Sequence, residues 1–165
     1  MELGWSFLVT IETTPAAVMR QQLLSNDQGR RTFAVVLQSG DEVMSCLQQF
    51  IKDSNISTAQ LTAIGAFSDV TLGYFDWATK DYLSNAIEEQ VELASLIGDV
   101  ALAPSGEPSL HVHVVVGKRD GSAFAGHLKQ GHVRPTLEVV LTESPAHLQK
   151  VHDQEAGLAL IRPRA

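Results

Sequence analysis

The chain has 165 residues, of which 44% are hydrophobic and 19% charged, with one cysteine, six histidines and a formal net charge of −7 at pH 7. At roughly 100–200 residues per domain this is one globular domain, and the composition excludes a disordered chain, an intramolecular disulfide framework and a cysteine-cluster zinc site. Twelve basic against nineteen acidic residues leave the molecule without the basic footprint from which nucleic-acid binders draw affinity.

Residues 1–18 carry Glu2 as their first charge and place no Lys or Arg before a short apolar run. That argues against a secretory signal. The reading is a loosely ordered leader, with Met19 as an alternative start, followed by one domain over 19–161 and a short tail at 162–165. No stretch reaches the roughly 18 consecutive apolar residues of a membrane span. The lone Cys46 fits a reducing, cytoplasmic setting.

Residues 32–38 (TFAVVLQ) are rich in strand formers. Ser39-Gly40-Asp41 then forms a turn able to cap a helix, and Val43, Met44, Leu47, Phe50 and Ile51 recur at helical spacing over 41–53. Cys46 lies beside that stripe and reads as a small packing residue. Strands are predicted at 60–64 and 70–75, with a hairpin through 76–80 returning at 81–83. Two more, at 91–96 and 100–102, are separated by Gly98, which suggests a bulge or bend. A Pro/Gly/Ser loop at 103–108 precedes strands at 110–116, 123–129 and 136–142. Ser144-Pro145 reads as an N-cap with proline at the first helical position, opening a short helical turn before a last strand at 158–161. The fold class expected is α+β, a largely antiparallel sheet with one main amphipathic helix packed on it.

The stretch from Leu110 to Leu128, LHVHVVVGKRDGSAFAGHL, carries the chemistry. Two strand patterns flank Arg119-Asp120-Gly121. A three-residue hairpin loop of this kind ends with a residue in the left-handed region, the role of Gly121. Lys118 then pairs with Ser122 and His113 falls opposite His127, while His111 shares the face of His113. On the other face Val112, Val114 and Val116 meet Phe124 and Leu128, an apolar surface suited to a core. Gly126 leaves room for a close approach.

Three imidazoles converging from two strands suit Zn²⁺ or another borderline divalent metal, with the fourth position left for water or substrate. The expected ligands are His111, His113 and His127. His132 is a candidate outer partner, and His147 and His152 read as surface residues. Glu92 and Arg134 are the candidate catalytic acid/base and substrate-orienting groups, and Asp99 is a second carboxylate able to reach the histidine face. No nucleophile elbow, phosphate-binding loop or dinucleotide fingerprint is present.

The segments GAFSDVTLGYFD (65–76), VELASLIGDVAL (91–102), LHVHVVV (110–116) and AGHLKQGHV (125–133) resemble the "plants and prokaryotes conserved" (PPC) domain in its prokaryotic form, over about residues 19–161. The resemblance implies a homotrimer and a zinc-type metal on the H-x-H pair and the G-H-L histidine, here His111, His113 and His127. It also carries a DNA-binding description. Plant members bind AT-rich DNA chiefly through separate hooks. This chain has no R-G-R-P hook, and only Lys118, Arg119, Lys129 and Arg134 offer a basic patch. The fold is similar to that of acetolactate decarboxylase, a metalloenzyme. The alternatives carried forward are therefore a metal-dependent lyase or hydrolase acting on a small carbonyl or carboxylate compound, and a small-molecule sensor.

Overall fold

A computed structural model describes residues 19–144 and 147–163. The elements are β1 (Arg20–Asp27), β2 (Arg30–Gln38), α1 (Val43–Asp53), β3 (Ala59–Asp76), β4 (Asp81–Ile87), β5 (Val91–Leu102), β6 (Pro108–Gly117), β7 (Ala123–Glu143), β8 (Lys150–Asp153) and β9 (Leu158–Ile161). The expected α+β class is what the structure has, an antiparallel sheet and one helix.

Seven strands lie in the order β1-β2-β7-β6-β5-β3-β4, and β3 also pairs with β7. The pairings β7–β6, β6–β5, β5–β3 and β3–β7 thus form a closed circuit. Two long strands make this geometry. β3 and β7 each run through what the sequence pattern divides into two strands, and both shift register with one another at several points. The inward side chains, among them Leu61, Phe67, Leu96, Val112, Leu128, Leu137 and Leu141, are almost fully buried.

Helix α1 seals the core with Val43, Leu47, Phe50 and Ile51, and Phe50 meets Phe33 edge to face at 5.3 Å between centroids. Its N-cap is Glu42, whose carboxylate accepts from the Met44 and Ser45 amides. Asp41, the last residue of the expected capping turn, accepts from the Gln38 amide. A capping acceptor satisfies an orphan donor of the first turn and is worth about 1 kcal/mol.

The expected set of elements is corrected at β5 and extended at β1 and β8. β1 pairs with β2 along its length through a two-residue turn, Gln28-Gly29, both with positive φ, yet all eight of its residues are exposed, so it carries no apolar alternation to read. β5 runs unbroken through Gly98, and its register shift lies between Leu93 and Ser95 instead. The helical turn expected to open at Ser144-Pro145 falls on Pro145 and Ala146, outside the described residues, and from Lys150 the chain forms the β8–β9 hairpin. The leader at 1–18 also lies outside the described residues.

Candidate metal centre

The β6–β7 hairpin closes as its turn chemistry requires. Gly121 has φ +85°, and the Lys118 amide donates to the Ser122 carbonyl at 2.8 Å. The register follows, with Gly117 opposite Ala123 and His113 opposite His127. Val112, Val114 and Val116 point into the core with Leu128, as expected. Phe124 does not: it is 45% exposed near the tip, with the Lys118 ammonium 5.7 Å from its ring centroid. β6 and β7 stop pairing at His113 and His127, and from there β7 continues along β3, so that Leu128 lies opposite Leu72. Gly126 admits that approach. A Cβ there would stand 2.9 Å from the Gly73 carbonyl and 3.2 Å from Leu72 Cβ.

His111, His113 and His127 come together on the outward face. Each offers a nitrogen within 4.8 Å of the other two. The rings of His111 and His127 stack at 5.2 Å between centroids, and His113 stands edge-on to both at 5.0 and 5.5 Å. Tyr82 of β4 lies 5.0 Å from His127 and walls the site on that side. Nδ1 of His127 is buried without a hydrogen-bond partner. Burial, reinforced by His111 and His113, pulls the His127 imidazole down to about 4, and burial with His111 also lowers His113. Both rings are therefore neutral at pH 7, the form that ligates metals. A buried nitrogen that lacks a donor or acceptor, with a second neutral imidazole beside it, fits a borderline divalent cation.

The surroundings follow from the register. One row across the sheet runs His127, His113, Ile97, Thr62, Val140, and the next runs His111, Asp99, Gln60, Thr142. Apart from His127, these two rows line a cleft of about 860 Å³ that begins at His111 and His113 and reaches Arg30 and Leu148. Asp99 stands directly opposite His111, with Oδ2 3.3 Å from Nδ1 of the ring.

The other expected site residues lie elsewhere. Glu92 pairs with Gly117, four residues beyond His113 and about 13 Å along the strand. It lines a separate hollow with Ile64, Pro135 and Glu138. Arg134 is exposed, seven residues along β7 from His127, and its charge helps hold the Asp69 carboxyl down. His132, considered as an outer partner, pairs instead with Asp69 at 2.7 Å. His147 and His152 are exposed. Sequence reasoning passed over Tyr82 and Lys150. Tyr82 reaches His127 only because β7 lies beside β3, Gly73 facing His127, and no local pattern reports that pairing.

The chain is 31% identical over 116 residues to the bifunctional protein GlmU of Synechococcus sp. (strain JA-3-3Ab), covering 69% of this chain but spanning only 17% of that one. Among solved structures, a candidate DNA-binding protein of Bacteroides thetaiotaomicron superposes with TM-score 0.80 at 26% identity, covering 87% of this chain and 96% of that one. A metal-containing protein of Archaeoglobus fulgidus gives 0.74 at 28%, covering 90% and 100%. The α-acetolactate decarboxylase of Bacillus subtilis, at 10% identity, TM-score 0.51 and coverage of 77% and 58%, shares the fold. Residues 24–145 match the Plants and Prokaryotes Conserved (PCC) domain, the domain abbreviated PPC above, and the chain belongs to that family.

Proposed function

We propose that His111, His113 and His127 hold a divalent transition metal, zinc foremost, and that the site serves a small molecule bound in the adjoining cleft. The observation that carries this reading is the convergence of three imidazole nitrogens within 4.8 Å, beside a cleft of about 860 Å³. A metal bound there supplies Lewis acidity, polarising a carbonyl or lowering the pKa of water. That suits a lyase or hydrolase acting on a small carbonyl or carboxylate compound, or a sensor that only holds it. The chain's own residues contribute the rest. Ile97 and Val140 offer an apolar strip beside the polar Gln60 and Thr142, so the cleft fits a compound with one polar and one apolar edge. Of the candidate charged groups Glu92, Asp99 and Arg134, Asp99 is the one that lines the cleft.

The finer reading includes a homotrimer in the cytoplasm. Ile64 and Ile97 on the outward sheet face are 61% and 64% exposed, apolar surface that association would cover. Among the described residues no helix is long and apolar enough to cross a membrane.

A DNA-binding role has the description of the Bacteroides relative in its favour. The charges stand against it. Lys118 pairs with Glu89, Lys129 donates to Ser84, and Arg31 is locked to Glu143, so these cations are already engaged within the chain. In low salt the protein is expected to leave AT-rich and mixed duplexes unshifted, and a shift lost on adding salt would restore the nucleic-acid reading. The metal reading is tested by metal analysis of purified protein beside His113→Ala. Metal in the first and not the second is expected, and equal content in both would defeat it.

A further inference from the structure

We infer that Asp99 and Lys150 form a positioning pair for the metal centre: Asp99 fixes the His111 ring so that Nε2 is presented to the ion, and Lys150, delivered by the C-terminal hairpin, secures Asp99. This rests on the metal reading of the three histidines. It adds Lys150, which reaches the site from outside the stretch matched to the family, residues 24–145.

The first link is Asp99 to His111. The two are cross-strand partners, and Oδ2 lies 3.3 Å from Nδ1. A carboxylate at Nδ1 selects the tautomer with the proton there, which leaves the Nε2 lone pair for a ligand. The same contact sets the ring plane. Without it, a ring on a strand face rotates about its broad terminal torsion.

The second link is Lys150 to Asp99. Oδ1 of Asp99 is buried without a hydrogen bond, and the Lys150 ammonium lies 3.7 Å from it. Lysine is almost never buried unless paired, yet Lys150 is only 8% exposed. Its ammonium donates to the carbonyl and hydroxyl of Ser109, both at 3.3 Å, two residues before His111 on β6. Asp99 is part-buried, its side chain 28% exposed, and a buried charged oxygen left without a partner is costly; Lys150 is the cation that stands beside that oxygen.

The third link holds Lys150 in place. The Leu102 amide at the end of β5 donates to the Leu148 carbonyl at 2.9 Å, and Leu102 bridges Gln149 in parallel. The Arg162 amide donates to the Gln149 carbonyl at 2.9 Å, tying β9 to the same point. The hairpin therefore clamps onto the strand that carries Asp99, three residues from it.

The test is a Zn²⁺ titration against a chromophoric chelator, with the visible spectrum of the Co²⁺ form as a second readout. Asp99→Leu removes the acceptor, Asp99→Asn keeps it without charge, and Lys150→Gln keeps a donor for Ser109 without charge. Asp99→Leu is expected to weaken binding about 10–100-fold, within the range for an outer partner, with Asp99→Asn in between. Lys150→Gln is expected to weaken it several-fold in the native background and not at all in Asp99→Leu. Unchanged affinity in Asp99→Leu, where the native chain binds, overturns the inference and leaves the metal reading standing. An equal loss from Lys150→Gln in both backgrounds means that Lys150 acts through the fold, and overturns its role. A native chain that binds neither metal fails the metal reading itself. In metal-free protein, nitrogen NMR of His111 is expected to show the Nδ1–H tautomer; the Nε2–H form overturns the first link whatever the titration gives.

Discussion

Two aspartate–histidine pairs stand on the same sheet, and both are direct cross-strand partners: Asp99 with His111, and Asp69 with His132. Their surroundings separate them. At the second pair the imidazole Nδ1 lies 2.7 Å from Asp69 Oδ1, and the Ser68 hydroxyl donates to Oδ2 at 2.8 Å. Glu42 bridges His132 while it caps α1. At the first pair the contact is longer, one carboxylate oxygen has no hydrogen bond, and a neighbouring imidazole nitrogen is buried and unpartnered. Residue type does not distinguish the two places, but satisfaction does. A polar cluster that leaves no buried atom unpaired stabilises without calling for a ligand. One with buried valence to spare is the candidate for a ligand.

The largest effect that bears on this contrast is loss of a ligand. His127→Ala should empty the metal site, lowering Zn²⁺ affinity by more than the roughly 100-fold upper range for an outer partner, whereas His132→Ala should leave metal content unchanged. Metal analysis of both variants checks this, and an empty site in His132→Ala would break the contrast. Next is the support behind the trio. Gly126→Val would drive side-chain atoms into the Gly73 carbonyl and Leu72, already 2.9 and 3.2 Å from a Cβ there. A destabilisation of about 1–3 kcal/mol is expected, as for other overpacked sites, read from the urea midpoint. The smallest effect sharpens the satisfied pair. Asp69→Asn should cost about 0.5–1 kcal/mol near neutral pH, since the pair is partly exposed.

That last pair also has a pH signature. The hydrogen bond from His132, opposed by some burial and helped by Ser68, holds the Asp69 carboxyl below its usual value. A depressed carboxylate contributes stability that is fully present above its unfolded pKa of about 3.9 and is lost as pH falls through the lower folded value. Stability measured from pH 6 down to pH 2 should therefore fall less steeply in Asp69→Asn than in the native chain. Identical curves would show that the contact contributes nothing to the acid limb.

Much of the candidate site was legible because it is local. The turn at Arg119-Asp120-Gly121, strict alternation and one glycine beside His127 determine the register of a hairpin, and the histidines follow. Elements failed to show where the information is not local. β1 is exposed along its length, so it has no periodicity of its own and exists by pairing with β2. β3 and β7 read as two strands each because their polar interruptions look like ends, whereas the bulges between Gly65 and Leu72 carry the ladder past them. Glu92 shares a strand and a face pattern with Asp99, but the strand is long enough to put the two at opposite ends.

The sequence by itself determined the class of fold, the helix and the convergence of His111, His113 and His127, because turn chemistry and side-chain alternation act over a few residues. Only the tertiary structure decided what surrounds them: Asp99 instead of Glu92, Tyr82 against His127, Lys150 beneath the carboxylate, and the cleft along the two register rows. Those contacts join residues far apart in the chain, and the closure of β3 on β7 sets them through the packing of the whole core, which no short window of sequence contains.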